Sequence, residues 1–204
     1  MMQTGGEGYE KGEQTRRHII CKSAELFNLQ GYAGVSLNEI INATGIQKGG
    51  IYKHFVNKDE IAMEAFEYAA DTVFEQFVAA VSSRQSAMEK LISMFEVYSN
   101  VVASPPFVGG CPVMNAAIEY DDGHPLLREK TQNRMRDFIS FIKNILHEGI
   151  TNGEFKSSID QDGAASFLMA ALEGGIMLSK LEADNRHMHY IKDHISAFLK
   201  TLEA

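Results

Sequence analysis

The 204-residue sequence predicts an all-α fold, and three observations carry that expectation. Only four prolines interrupt the chain. Apolar residues recur every three or four positions through most segments, and no long stretch alternates apolar with polar residues as a half-buried strand does. Capping residues and glycines bracket these periodic runs.

The elements follow in order. Residues 1–12 are polar and glycine-rich and read as a flexible tail. They lack the apolar core of a secretory signal. A first helix is expected over 13–30, with Ile20, Ala24 and Phe27 inward and Gly31 as its C-cap. A second begins at Ser36, where Ser36 and Glu39 form a capping box. Ile40 and Ile41 face inward, and Gly45 closes it. A third lies within "GIQKGGIYKHF", residues 45–55. A fourth starts after Asn57, with Asp59 and Glu60 in a first turn that favours acids, and continues to about residue 82. At ~1.5 Å per residue it is a long rod. Further helices are expected over 84–103, 111–119, 125–151, 161–181 and 187–202.

Three short helices with a tight link between the last two form a helix-turn-helix layout. The domain reading is therefore a tail over 1–12, a DNA-binding head over 13–57 and a helical body over 58–204. In such a head the third helix enters the major groove. Lys48 and Lys53 then reach guanine edges or phosphates, and Tyr52 and His54 donate to phosphate oxygens. Lys58 opens the next helix, whose free N–H groups hold a further phosphate. The Tyr52 ring is expected to pack while its hydroxyl points outward. Gln47 caps the third helix poorly.

Charge supports a local DNA contact. The chain carries a net charge of −8. Residues 14–58 nevertheless hold six basic side chains against Glu25 and Glu39, a net +4. A basic head on an acidic body suits phosphate contact with little binding elsewhere.

"TRRHIICKSAELFNLQGYAGVSLNEIINATGIQKGGIYKHFVNKDEI" resembles the DNA-binding head of the tetracycline-repressor-like (TetR) regulators. The matching elements are Ala24 with Leu26-Phe27, Gly31-Tyr32, the Ser36 cap, Ile40, Gly45-Ile46, Tyr52 with Phe55, and Lys58. The resemblance places DNA contacts at Ser36, Asn38, Lys48, Gly49, Gly50, Tyr52, Lys53, His54 and Lys58. Gly50 departs from the family's usual small hydroxyl or alanine. The resemblance also implies a homodimeric repressor on a pseudo-palindromic operator, released by a small ligand. Two reduced thiols in a cytoplasmic protein are the default, and no cofactor or membrane partner is expected.

The body offers weaker signals. Ala170, Ala171, Gly174 and Gly175 lie within the Phe167–Ile176 stripe, and Ile191, Ile195, Phe198 and Leu202 share a face of the last helix. These two helices are the expected dimer junction. A ligand pocket is expected among the middle helices, lined by Phe66, Met94, Tyr98, Met114, Asn115, Phe138 and Met169, with Asn115 orienting the ligand. Ten methionines suit adaptable apolar sites. "GGCPVMNAAIEYDDGHPLLRE" resembles a segment of one group of the family and sets Cys111 at a helix start, where a thiol pKa is lowered. Cys111 is thus a further ligand-site position. Two alternatives remain open on sequence: a regulator sensing oxidants or electrophiles through Cys111, and a helical small-molecule binder without DNA binding.

Cys21 and Cys111 match no zinc or CxxC spacing. His187 and His189 near Asp184, and His124 after Asp121-Asp122, match no strong metal-ligand spacing. No catalytic constellation is evident, so neither enzyme activity nor a metal is expected. No apolar run reaches the ~18 residues of a membrane span.

Overall fold

A computed structural model describes residues 5–120 and 124–204; Asp121-Asp122 lie outside the described residues. Within them the chain forms α1 (Gly5–Gly34), α2 (Leu37–Thr44), α3 (Lys48–Ile51), α4 (Lys58–Ser82), α5 (Ala87–Val97), α6 (Pro112–Tyr120), α7 (Pro125–Thr151), α8 (Gln161–Glu182) and α9 (Arg186–Thr201). The described residues contain no strand; a single antiparallel bridge, Phe155 to Glu203, pins the chain's end.

Local chemistry explains most boundaries. Gly31, at φ 76°, breaks α1, where the sequence expected a cap. The helical backbone begins at Gly5, ahead of the expected start at residue 13. Glu7, Glu10, Lys11 and Glu13 are good helix formers among the intervening glycines. The Ser36–Glu39 capping box forms, and Gly45 closes α2 in the left-handed region at φ 70°. The Asn57 side chain accepts from Glu60 N–H at 2.9 Å to start α4. A second capping box, Ser86 with Glu89, opens α5. That helix stops at Val97, six residues short of expectation, and residues 98–103 form turns.

Two apolar cores result. The head encloses Ile19, Val35, Ile40, Ile51, Phe55 and Ile61. The larger body core runs from Ala62 and Ala65 on α4 through α5–α9. Its centre is aromatic: the Phe77 ring lies 6.0 Å from Tyr98 and 5.7 Å from Phe138, and Phe74 stacks on Phe138 at 5.5 Å. The α4 rod serves both cores, because Ile61 belongs to the head and Phe77 to the body.

The long α8 buries Ala165, Leu168, Leu172, Ile176 and Ser179 on one side. By length and composition it could cross a membrane, and 44% of its most apolar window is buried inside the protein. Its other side stays open: Phe167 is 49% exposed, Met177 48% and Leu181 80%. Ala170 is also exposed, and nothing lies within 4 Å of a Cβ placed at Gly174.

Candidate nucleic-acid interface and effector cavity

The recognition element is one helical turn. α3 spans only Lys48–Ile51, and its N-cap, Gln47, makes no side-chain capping bond. The backbone then turns so that His54 N–H and Phe55 N–H both donate to Ile51 C=O, at 2.9 and 3.1 Å. Ile51 and Phe55 plunge into the head core. That burial leaves Lys48, Gly49, Tyr52 and Lys53 on the outer surface.

The two glycines in this turn differ. A Cβ at Gly49 would meet nothing within 4 Å, whereas one at Gly50 would sit 2.7 Å from Ile46 Cγ2. Gly49 is a bare patch facing outward. Gly50 is backed by Ile46, so a side chain there would press on that residue.

The head's basic residues sort into two groups. Arg16 is bound to Glu64, lies 3.7 Å from Glu60, and covers the Phe55 ring at 4.7 Å. Its guanidinium pKa is raised chiefly by the Glu64 hydrogen bond. Lys22 pairs with Glu25 at 3.0 Å. Lys58 donates to Tyr32 C=O and Val35 C=O, both at 2.7 Å, and lies 3.9 Å from the Tyr32 ring centre. These three cations already have partners within the protein. Lys48, Lys53 and Arg17 are exposed and have no carboxylate within ion-pair distance among the described residues. Arg17 was not singled out from the sequence, because nothing in its spacing separates it from Arg16.

The structure changes the setting of three expected contact residues. Lys58 is a clamp on the end of α1 and its link to α2 rather than a free phosphate ligand. The Tyr52 ring is 46% exposed, with Lys48 Nζ 5.9 Å from its centre, because Ile51 and Phe55 already fill the core beneath it. The Ser36 hydroxyl is engaged by its capping box, donating to Glu39 at 2.8 Å. Asn38 is exposed as expected, and His54 is half-buried near Gly12 of α1.

Polar contacts join head to body. Glu119 of α6 accepts from Tyr32 N–H at 2.8 Å and Ala33 N–H at 2.9 Å, just past the break in α1. The Tyr32 hydroxyl donates to Asp59, and His124, the N-cap of α7, lies 3.3 Å from the same carboxylate. Burial, then Asp59, pushes the Tyr32 hydroxyl up to about 12. The Asp59 carboxyl is lowered, chiefly by the Tyr32 hydrogen bond.

A cavity of about 410 Å³ opens at this junction, between α1, α4 and α6, with Lys180 of α8 at its edge. That volume suits a small molecule. Of the expected liners, Phe66 and Asn115 face it. Met94, Tyr98, Phe138 and Met169 are instead closed into the body core, and Met114 packs half-buried against it. Aromatic stacking fills the space among the middle helices, so the hollow lies nearer the head than expected. Asn115 is engaged by the fold: its amide donates to Asn28 Oδ1 at 2.9 Å and to Gly109 C=O at 3.2 Å.

Cys111 is also corrected. Its thiol is buried and donates to Glu173 Oε1 at 3.0 Å. Burial, then the Glu173 charge, drives its pKa up, overriding the helix N-terminus. A thiol held protonated is a poor nucleophile, so the electrophile-sensor alternative is not favoured. Burial likewise lifts the Glu173 carboxyl to about 7. No group of three or more metal-ligating side chains occurs among the described residues; His187 lies 3.1 Å from Glu182.

The chain is similar to known transcriptional regulators. Residues 19–65 match the model of bacterial regulatory proteins of the tetR family, and residues 87–195 match the tetracyclin repressor-like C-terminal domain. The HTH-type transcriptional regulator LmrA of Bacillus subtilis is 26% identical, over 91% of this chain and 97% of LmrA. A TetR transcriptional regulator from Chloroflexus aurantiacus superposes with a TM-score of 0.91 at 34% identity, covering 95% of this chain and 98% of that one. A TetR-family regulator from Cytophaga hutchinsonii gives 0.90 at 31%, covering 95% and 97%.

Proposed function

The chain belongs to the TetR family of DNA-binding, helix-turn-helix transcriptional regulators, and we propose that it acts as a homodimeric repressor whose heads are released by a ligand in the α1–α4–α6 cavity. Its family is one of regulators rather than of enzymes. The observation that carries the DNA-contact assignment is the division of cations in the head. Arg16, Lys22 and Lys58 are consumed by the fold, while Lys48 and Lys53 stand free beside the bare Gly49. Lys48 and Tyr52 meet base edges and phosphates, Lys53 and Arg17 meet phosphates, and Gly49 lets the backbone approach.

Dimerisation runs through the open face of α8, with α9 beside it; the Ile191, Ile195, Phe198 and Leu202 face of α9 expected at the junction packs on the chain's own core instead. The supporting feature is the exposed stripe Phe167, Ala170, Gly174, Met177 and Leu181, whose small central residues let a second helix approach closely. Two heads on one two-fold axis read two half-sites. A ligand in the cavity touches Phe27 and Asn28 of α1 together with Ala62–Ala69 of α4. It shifts the heads, and both half-sites can no longer be met at once. The protein acts in the cytoplasm, where its DNA is.

Footprinting of the duplex upstream of the protein's own gene tests this reading. A protected pseudo-palindrome at moderate salt is expected, with protection lost in Lys48→Ala. Absence of any protected duplex would remove the repressor role.

A further inference from the structure

We infer that the cavity takes an apolar monocarboxylate, its chain lying along the alanine wall of α4 and its carboxylate seated on Lys180. The inference rests on reading this cavity as the effector site and names the ligand's chemical class.

The wall comes first. Ala62, Ala65 and Ala69 recur along one face of α4 and are at most 3% exposed, with Ala24 of α1 and Ala116 of α6 also lining the space. Larger side chains at these positions would fill the hollow, so its existence depends on methyl groups. Phe27, Phe66 and Ile118 complete an apolar surface suited to a hydrocarbon chain or ring.

Charge then selects the head group. Glu119 and Lys180 are the charged side chains lining the cavity. Glu119 is committed, since its two oxygens accept from Tyr32 and Ala33 N–H. Lys180 is different. Its ammonium donates to Gly109 C=O, and no carboxylate lies within 4.0 Å of it among the described residues. Burial lowers its pKa. An ammonium whose one protein partner is a carbonyl lacks a counter-charge at the cavity edge, and a carboxylate supplies it. Glu173, earlier on α8, is engaged with the Cys111 thiol instead.

The surrounding loop is shaped for this lysine. Gly109 and Gly110 both adopt left-handed backbone, at φ 92° and 97°. A Cβ at Gly110 would lie 2.8 Å from Lys180 Nζ, and one at Gly109 2.5 Å from Asn28 O. The loop thus touches α8 through one glycine and α1 through the other. An incoming carboxylate draws Nζ off the Gly109 carbonyl and slackens the loop's hold on α1, which leads into the head.

Three probes sharing one skeleton test the inference on the full-length protein without DNA: octanoate, octylamine and octanol, with 4-tert-butylbenzoate and 4-tert-butylbenzylamine as a rigid pair. Binding is read by calorimetry and by the shift in Tm. The carboxylates are expected to bind more tightly than the amines and the alcohol. Lys180→Met is expected to weaken them about tenfold, as for loss of a charged hydrogen bond, while leaving octanol unchanged and with Lys180→Arg restoring much of the affinity. Ala65→Leu should abolish binding of every probe. An amine preference, or a carboxylate preference that survives in a folded Lys180→Met, overturns the inference. The same samples are assayed on the upstream duplex, so failure of carboxylate binding in a protein that still protects DNA removes this inference alone.

Discussion

Two glycine pairs, Gly49-Gly50 in the recognition turn and Gly109-Gly110 in the loop before α6, look alike in sequence and do different physical work. The first pair is helical, and its outer member faces open space. The second pair has positive φ at both residues and is crowded by Asn28 and Lys180. Each region also seats a lysine on backbone carbonyls: Lys58 on Tyr32 and Val35, Lys180 on Gly109. A bare surface and a forced close approach thus use the same residue type, and only the surroundings tell them apart.

Substitution should separate the regions. The largest effect is expected at Gly109→Ala, which combines left-handed backbone with a clash against the α1 backbone. A loss of about 3 kcal/mol, read by urea denaturation, is the expected outcome; a neutral result would mean that the loop relaxes freely.

Next is Glu173→Gln, beside the same loop. The folded carboxyl titrates at about 7, above its ordinary 4.5. The folded state therefore holds a proton that the unfolded state has released between these values. Stability from this group is full below about pH 4.5 and lost as pH rises through about 7. The Gln variant should flatten that slope and be more stable at pH 8 by about 1–3 kcal/mol, measured by urea denaturation at pH 5 and pH 8.

Lys58→Met probes the other seated lysine. It should destabilise the protein by about 1–2 kcal/mol and weaken binding to all duplexes alike. If stability is untouched while DNA affinity falls, Lys58 is a phosphate ligand after all. The smallest effects, about 1 kcal/mol or less, are expected within the first pair, and with opposite signs. Gly50→Ala should destabilise by pressing on Ile46. Gly49→Ala should stabilise α3 and yet reduce operator affinity, a split visible by comparing denaturation with fluorescence anisotropy.

Much of this architecture is legible in sequence because it is local. The Ser36–Glu39 box, the Gly45 cap and the Asn57 cap are set by neighbours within four residues, and each forms as expected. Features that depend on distant partners were not readable. Nothing in the spacing around Lys58 reveals that two carbonyls more than twenty residues earlier will hold it. The cavity escaped for a similar reason: it is defined by alanines on α1, α4 and α6, small residues that read as filler until the helices meet. Met94, Tyr98 and Phe138 drew attention by chemistry, but the same bulk that marks them as ligand-like also makes them good core.

The Glu119 contact bears on how such proteins can be recombined. A reading head exchanged at residue 57 would bring its own α1 break and leave behind the α6 carboxylate that holds Tyr32 and Ala33. It would also part Arg16 from Glu64 on α4. A chimera built at that seam inherits a head that folds but hangs loosely, and one that transmits the body's state needs Glu119, Lys58 and Glu64 carried across as part of the graft.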